Sequence, residues 1–237
     1  MAGRRAGRVT PEARVAVYYA PRPDDLLAVA GAAWLGRDAE TDARVAGPAF
    51  PCLAAITGEA SRYGFHATLK PPMRLATGRD WPGLCRASER LARTLAPFEL
   101  PPLAVRNIGG FLALRETAPC PALQALADAA VETLDGFRAP PDEQELAGRR
   151  SGGLSPQQEA MLRRWGYPYV FSEWFFHMTL TSRLGEQQIA VWRARAEAHF
   201  AAALARPRRV QDLCLFTQAG PDRPFVVAAR FPLGGPA

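Results

Sequence analysis

Two of the three histidines in this 237-residue chain lie in the same short pattern. His66 and Thr68 belong to one copy of His-x-Thr-Leu, and His177 and Thr179 belong to a second copy 111 positions later. A single copy would be weak evidence, because any one histidine can have these neighbours by chance. Two copies among three histidines predict a pair of equivalent chemical groups in one site.

Residues of these types can cleave a phosphate ester without a metal ion. Imidazole has an unperturbed pKa of about 6.5, so near neutral pH one histidine can accept a proton while the other donates one. One histidine would activate water or a ribose hydroxyl, the other would protonate the leaving oxygen, and the threonines would hold the non-bridging oxygens. We therefore expect four catalytic residues, His66, Thr68, His177 and Thr179, and no metal ion or cofactor. The two copies are too alike to say which histidine is the acid.

Four further residues are expected to bind the substrate. Lys70, the only lysine beside 28 arginines, would share a strand face with the first His-x-Thr pair and contact a phosphate. Arg183 lies on the matching side of the second motif and would bind a second anionic group. Tyr63 and Tyr19 border the predicted cleft, where a ring can stack on a base or a sugar. The alternatives are solvent exposure for the two cations and core packing for the two tyrosines.

Each motif lies in a run of alternating apolar and polar residues, at 65–70 and at 176–181. This alternation is typical of a half-buried strand, in which residues i and i+2 share a face. The histidine and the threonine of each motif would therefore lie side by side, opposite an apolar core. We expect Pro71-Pro72 to end the first strand, and the second strand to run from about Tyr169 to Thr181.

The elements around the two motifs follow a similar order. The first half reads as a strand at 14–20, a helix capped by Asp24 or Asp25, a loop at 36–61 with a possible short turn near 52–56, the motif strand, a helix at 81–95 and a strand at 98–108. The second half reads as a strand at 111–115, a helix beginning near Pro121, the motif strand, a helix at 186–204 and a strand at 209–216, with one further strand at 224–231. This repetition predicts one domain, 13–237, built from two related lobes at 14–108 and 109–232 after a disordered tail at 1–12.

Residues 137–168 have no counterpart in the first half. This segment is rich in proline, then charged, and then helical from Pro156 to Trp165, where Ser155 and Gln158 make a capping box. An insertion of this kind is either a lid over the site or a surface excursion.

The composition limits the class of protein. The formal net charge of +6 weakly favours anionic ligands. The four cysteines are far apart in the sequence and lack C-x-x-C spacing, so we expect reduced thiols in a cytoplasmic protein. No stretch approaches the roughly 18 apolar residues that a membrane span needs, and the N-terminal residues lack the apolar region of a signal peptide.

The paired motifs resemble the 2H phosphoesterase superfamily, which includes the bacterial RNA ligase/cyclic phosphodiesterase-like proteins. The longer sequences at 62–72 and 176–181 are similar to the branch found with bacterial phosphonate-degradation genes. Residues 34–36, 154–157 and 165–169 fit that branch as well. The similarity extends over about residues 14–232.

The resemblance implies a bilobal, duplicated α+β fold, with two antiparallel sheets facing across a central cleft and helices on the outside. It also implies that the superfamily's catalytic roles fall on His66, Thr68, His177 and Thr179. The second motif has Thr181 where the first has Lys70, so the two halves need not contact the substrate alike. The phosphonate branch suggests a ribosyl cyclic phosphate or a related phosphorylated sugar as substrate.

Three functions stay open at this stage. The favoured one is a metal-independent phosphoesterase acting on a small cyclic phosphate or phosphodiester. The second is an enzyme that processes RNA ends with 2′,3′-cyclic phosphates, which ranks lower because no basic run with interleaved aromatic residues is present. The third is a non-catalytic protein that binds phosphate esters. The oligomeric state is not predicted.

Overall fold

The computed structural model describes residues 13–235, so the predicted tail at 1–12 lies outside the described residues. The helices of the described range are α1 (Leu26–Leu35), α2 (Leu53–Tyr63), α3 (Trp81–Arg93), α4 (Pro121–Leu134), α5 (Glu143–Arg150), α6 (Pro156–Trp165) and α7 (Glu186–Leu204). The strands are β1 (Arg14–Tyr19), β2 (Ala67–Met73), β3 (Phe98–Leu100), β4 (Leu103–Ile108), β5 (Phe111–Glu116), β6 (Met178–Thr179), β7 (Arg208–Val210), β8 (Asp212–Gln218) and β9 (Val226–Pro232). Short 3-10 turns occupy Asp135–Phe137 and Phe171–Glu173.

Seven of these strands form one antiparallel sheet in the order β4-β5-β6-β2-β1-β8-β9. The strands β3 and β7 form a separate antiparallel pair. The predicted α+β class with antiparallel sheets is therefore confirmed. Both motif strands, β2 and β6, lie next to each other within the larger sheet, so the two motifs meet along one strand pair.

This sheet contains strands from both halves of the chain, in an order that does not separate the two halves. Strands β8 and β9, from the second half, extend the sheet beyond β1, whereas β4, from the first half, pairs with β5. The division into lobes at 14–108 and 109–232 stays a prediction. No helix in the described range is long and apolar enough to cross a membrane.

The larger sheet has apolar side chains on both faces. Along β1, Val15, Val17 and Tyr19 belong to the main core, in which α1, α3, α4 and α7 also bury residues. Ala16, Tyr18 and Ala20 point the other way, into a smaller apolar cluster. This alternation is the two-residue period of a strand. The first motif uses it too, with Ala67 and Leu69 in the main core.

Several predicted helices are confirmed together with their ends. Asp25 caps α1 by accepting a hydrogen bond from the Leu27 backbone N–H at 2.8 Å. The capping box of Ser155 and Gln158 begins α6 as predicted. Helix α7 has the predicted bounds, Glu186–Leu204. In each case a local signal in the sequence was enough, because caps act within one turn.

Other boundaries were predicted wrongly. The predicted loop at 36–61 overlaps the eleven-residue helix α2, whose buried residues Leu53, Ile56, Thr57 and Ala60 follow helical i, i+3, i+4, i+7 spacing. The charged part of the insertion contains α5, which the sequence reading missed. The predicted strand at 98–108 is two strands, β3 and β4, separated by residues 101–102.

Both motif strands also differ from their predicted lengths. Strand β2 continues through Pro71-Pro72 to Met73, where a shift in the register with β1 accommodates residues that cannot donate to the ladder. Strand β6 is only Met178–Thr179 instead of 169–181. Phe171 has φ of 54° in a 3-10 turn, so the segment before His177 cannot continue as an extended strand.

Candidate active site

The two His-x-Thr motifs are brought together by the pairing of β2 with β6. Ala67 lies opposite Met178 in an antiparallel register, and both residues are buried. The same antiparallel register places His66 beside Thr179 and His177 beside Thr68, one residue away from this pair on either side. The structure thus places the predicted catalytic residues His66, Thr68, His177 and Thr179 in one patch of the sheet.

Hydrogen bonds to the backbone fix the orientation of the His66 ring. Its Nδ1 lies 2.8 Å from the carbonyl oxygen of Gly64, which can only accept a proton. In the neutral ring Nε2 is therefore the acceptor, and the Thr68 hydroxyl, 3.3 Å away, donates to it. The arrangement leaves Nε2 of His66 as a base in contact with the threonine of its own motif.

His177 repeats this arrangement. Its Nδ1 lies 3.2 Å from the carbonyl oxygen of Phe175, again two residues earlier in the chain. The same tautomer follows, with Nε2 free to exchange a proton. Aromatic rings surround His177, with the Phe175 centroid at 4.9 Å and the Phe111 centroid at 6.1 Å.

Both imidazoles are neutral near pH 7 in the absence of a ligand. Burial lowers the pKa of His66 to about 4, with a further lowering from the nearby His177. Burial also lowers the pKa of His177, and the positive charge of Arg115 acts in the same direction. An anion bound between the rings would act in the opposite direction, because an opposite charge nearby favours the protonated imidazole.

Aromatic side chains support the first motif from two sides. The Tyr18 ring stacks on the His66 ring with centroids 3.7 Å apart and an angle of 23° between the planes. The indole N–H of Trp174 donates to the carbonyl oxygen of Thr68 at 2.8 Å. In the second motif the indole N–H of Trp34 donates to the carbonyl oxygen of Leu180 at 2.9 Å. Each motif is thus held by a tryptophan from a distant part of the chain.

A cavity of about 370 Å³ opens beside the motifs. Its lining includes His66, Thr68 and Thr179, whereas His177 is not among its lining residues. The volume is typical of a pocket for a small molecule. Among the predicted binding residues, Tyr63 and Arg183 line this cavity. The Arg183 guanidinium also donates a hydrogen bond to the Gly109 carbonyl oxygen.

The prediction for Lys70 is wrong. Thr68 lies opposite Tyr18 and Lys70 lies opposite Val17, so β2 has one more residue than β1 over this interval. Such a bulge changes the phase of the alternation, and Lys70 turns to the core side instead of joining Thr68. Lys70 is 1% exposed and does not line the cavity.

The Lys70 ammonium has its own partners on that side of the sheet. Its Nζ lies 2.9 Å from Oδ1 of Asp135 and 3.3 Å from the carbonyl oxygen of Val131, at the C-terminal end of α4. Arg138 binds the same carboxylate, with its Nε 2.8 Å from Oδ1. Burial lowers the pKa of Lys70, and the bond to Asp135 offsets part of this effect. Lys70 therefore connects the motif strand to the segment that leads into the insertion.

The prediction for Tyr19 is wrong as well. Tyr19 is 3% exposed and belongs to the main core, where its ring lies 6.1 Å from that of Phe176. Successive residues of a strand point to opposite faces, so its neighbour Tyr18 occupies the cavity side instead. The choice between the two tyrosines depended on the phase of β1, which the apolar run at 15–20 does not reveal.

The sequence reading missed one more group in the cavity lining. Arg149, at the end of α5, lines the cavity together with Tyr167. Its guanidinium carbon lies 4.6 Å from the Tyr167 ring centroid. No local pattern distinguishes this arginine from the other surface arginines of the chain. The insertion therefore forms part of the cavity wall.

The described residues include neither a metal site nor a disulfide. Within residues 13–235, no group of three or more His, Cys, Asp or Glu side chains is placed to hold a metal ion. The four cysteines, all in that range, form no disulfide.

The chain is similar to two larger bacterial proteins. It is 39% identical over 239 residues to "Ribose 1,5-bisphosphate phosphokinase PhnN" of Janthinobacterium sp. (strain Marseille), covering 96% of this chain and 53% of that protein. It is 42% identical over 207 residues to the protein of the same name from Laribacter hongkongensis (strain HLHK9), covering 86% of this chain and 48% of that protein. The chain thus spans about half the length of these curated relatives.

Two solved structures have a distant likeness to this chain. LigT of E. coli, in complex with NADP+, has 12% sequence identity and a TM-score of 0.43, covering 94% of this chain and 99% of that one. The conserved protein of unknown function ATU0111 from Agrobacterium tumefaciens str. C58 also has 12% identity, with a TM-score of 0.41, and covers 97% of this chain and 92% of that one. Scores this low are below the level at which a common fold can be inferred.

One protein family matches the larger part of this chain. The family described as "Protein of unknown function (DUF1045)" matches residues 68–226, which is more than half of the chain. This range includes Thr68 and the complete second motif. The chain therefore belongs to the DUF1045 family.

Proposed function

We propose that this protein is a metal-independent phosphoesterase that hydrolyses a small cyclic phosphate or phosphodiester by paired histidine catalysis. One observation carries the proposal. His66 and His177 each direct Nδ1 to the backbone carbonyl two residues earlier, which leaves Nε2 of each ring to exchange a proton beside a threonine. Paired His-x-Thr motifs also underlie the resemblance to the 2H phosphoesterase superfamily.

The proposed reaction needs one proton acceptor and one proton donor. A water molecule attacks phosphorus as Nε2 of one histidine takes its proton, and the bond from phosphorus to the leaving oxygen breaks as the other histidine protonates that oxygen. Thr179 donates a hydrogen bond to a non-bridging oxygen, where negative charge builds up, and Thr68 does the same once the substrate has displaced its hydroxyl from His66. The protons balance in this step, because the base gains one and the acid loses one, and exchange with solvent then returns both rings to their starting states.

We assign the base to His66 and the acid to His177. The Thr68 hydroxyl donates to Nε2 of His66, which favours the ring as an acceptor. Burial also lowers the pKa of His66 to about 4, so this ring resists protonation at neutral pH. His177 would receive its proton when the anionic substrate binds. The bound anion raises the pKa of a nearby imidazole.

The names of the relatives support a phosphorylated ribose as the substrate class. The relatives from Janthinobacterium and Laribacter are named for ribose 1,5-bisphosphate, although this chain corresponds to only about half of each. Their kinase activity is not the one we propose here. A phosphate-binding loop of the G-x-x-x-x-G-K-[ST] type needs a lysine, and the single lysine of this chain, Lys70, is buried against Asp135.

The proposal is tested by turnover of a substrate panel in the presence of EDTA. The panel contains ribose cyclic phosphates, 2′,3′-cyclic nucleotides and a short RNA with a 2′,3′-cyclic end. We expect a small cyclic phosphate to be hydrolysed with EDTA present, at a higher kcat/KM than the RNA. Loss of activity on chelation would contradict the metal-independent mechanism, and a preference for RNA would favour end processing.

A further inference from the structure

Part of the cavity lining carries polar groups that the proposed hydrolysis does not use. This part, here called the arginine–tyrosine subsite, is formed by five side chains that all line the cavity: Arg14, Tyr18, Tyr63, Arg149 and Tyr167. Tyr18 lies within electrostatic reach of the other four. Burial raises the pKa of Tyr18 most, Tyr63 and Tyr167 raise it further, and the two arginines act to lower it.

The two arginines of the subsite lack acidic partners. Among residues 13–235, neither Arg14 nor Arg149 has a carboxylate oxygen within 4 Å. Nε of Arg14 donates to Oε1 of Gln218 at 2.8 Å, which leaves its terminal nitrogens as donors. Glu59 is the one acidic residue of the lining, and it is exposed. The balance of charge in this part of the lining therefore favours an anion.

The neighbouring arginine of the same helix behaves differently. Nη2 of Arg150 lies 2.8 Å from Oε1 of Glu159, and Arg150 does not line the cavity. Arg149 instead lies over the Tyr167 ring, with its guanidinium carbon 4.6 Å from the ring centroid. Stacking of this kind orients the guanidinium plane without using its N–H donors. Arg149 is thus held in place while its N–H groups stay available to a ligand.

The subsite touches the first motif through Tyr18. The Tyr18 ring stacks on the His66 ring with centroids 3.7 Å apart, and Tyr18 lines the cavity with the other subsite residues. In the part of the chain that the structure describes, the Tyr18 hydroxyl makes no hydrogen bond, so it is also available as a donor. A ligand at the motifs and a group at the subsite therefore share one small cavity.

We propose that the arginine–tyrosine subsite binds a second phosphate group of the substrate, a phosphate monoester on the same small molecule, and that Arg149 determines this specificity. The inference rests on the proposed function for the position of the phosphate that is cleaved. Guanidinium groups bind phosphate oxygens through paired, charge-assisted hydrogen bonds, and tyrosine hydroxyls complete the set of donors. The inserted segment thereby selects a doubly phosphorylated substrate.

The kinetic test compares two substrates that differ in one group. Ribose cyclic phosphate with a 5-phosphate and the same compound without it are assayed with the wild type, Arg149→Ala, Arg149→Lys and Arg150→Ala. Arg150→Ala is the matched control, because it removes the same charge from the same helix outside the cavity. We expect Arg149→Ala to raise KM for the 5-phosphate compound by about 10-fold to 100-fold, because one charge-assisted contact with the phosphate is lost. Arg149→Lys should restore part of the affinity.

The other compound reveals whether the effect is specific. Its kcat/KM should stay within about twofold of the wild-type value in Arg149→Ala, since it has no group to place in the subsite. An equal loss on both compounds, or no loss on either, would overturn the proposal. An equal rise in KM in Arg150→Ala would also overturn the proposal, because the loss of one positive charge anywhere on the helix would then explain the result.

A binding measurement separates this proposal from the proposed function. Ribose 5-phosphate, which has a monoester and no cyclic or diester bond of the kind proposed for cleavage, is titrated by calorimetry into the wild type, Arg149→Ala and Thr179→Val. Weaker binding to Arg149→Ala with unchanged binding to Thr179→Val would support the subsite even if no cyclic phosphate were hydrolysed. The reverse pattern, or no binding to the wild type at millimolar concentration, would overturn it.

Discussion

Ala67 of β2 lies opposite Met178 of β6, and this antiparallel pair brings the two His-x-Thr motifs into register. Both side chains are buried on the core side of the sheet, so the flanking histidines and threonines point to the other side. Antiparallel pairing also runs the motifs in opposite directions, and each histidine thus faces the threonine of its partner motif. Two similar sequences become one site with approximate two-fold symmetry.

The ring of Tyr18 is expected to support the base through its stacking on His66. Tyr18→Leu should lower kcat by about threefold to tenfold, since a stacked aromatic pair contributes more than its buried area. Tyr18→Phe keeps the ring and should retain kcat on a substrate without a second phosphate. Steady-state kinetics of the two variants test this, and equal losses would show that the hydroxyl matters more than the stacking.

Stability should fall as the pH is lowered below neutral. Burial lowers the pKa of His66 to about 4 in the folded protein, whereas the unfolded chain has a value of about 6.5. The unfolded state therefore binds a proton first, and folding loses stability as the pH falls from about 6.5 toward 4. We expect His66 to account for about 2 kcal/mol between pH 7 and pH 5.

Urea denaturation at the two pH values measures this difference. His66→Gln cannot take up the proton, so its free energy of unfolding should change less between pH 7 and pH 5 than that of the wild type. An identical pH dependence in the two proteins would show that His66 is not the group that titrates.

Lys70 should matter for stability and not for catalysis. Asp135→Ala would leave the buried Lys70 ammonium without its carboxylate, at a cost of about 3–5 kcal/mol in the free energy of unfolding. Lys70→Met fills similar space without a charge and should cost less, since Arg138 still binds Asp135. Thermal and urea melts give the stabilities, and kinetics give the second readout. A large loss of kcat in a folded Lys70→Met protein would restore the phosphate-binding role.

Trp174 is expected to position Thr68. Trp174→Phe removes the hydrogen bond to the Thr68 carbonyl oxygen and should lower the free energy of unfolding by about 1 kcal/mol. It should also lower kcat several-fold by loosening the threonine. Trp165→Phe is a matched control, because Trp165 packs against Phe171 without an indole hydrogen bond among the described residues. Equal kinetic effects of the two changes would argue against a positioning role for Trp174.

The sequence predicted the placement of the two motifs well because both are short and local. The alternation around His66 and His177 already placed each histidine beside its threonine on one face of a strand. Tertiary structure adds only the pairing of β2 with β6, which the repetition of the motif suggests. The caps of α1 and α6 were predictable for the same reason, since each depends on contacts within one turn.

The binding residues were harder to predict because they depend on the phase of a strand or on distant elements. A single bulge in β2 turns Lys70 into the core, and one position along β1 decides between Tyr18 and Tyr19. Neither feature has a signal in a run of apolar residues. Arg149 reaches the cavity only because α5 packs near Tyr167, and no local pattern reports that contact.

The most direct test of the two-histidine mechanism is kcat for a small cyclic phosphate, measured with EDTA in the wild type, His66→Ala, His177→Ala and the double variant. His199→Gln is the control, because His199 lies outside the cavity lining, where its Nε2 bonds to the Ala30 carbonyl oxygen at 2.9 Å. We expect each single variant to lose about 100-fold to 10,000-fold, the double variant to lose little more than either, and the control to keep its activity. Full activity in either folded single variant would contradict the mechanism.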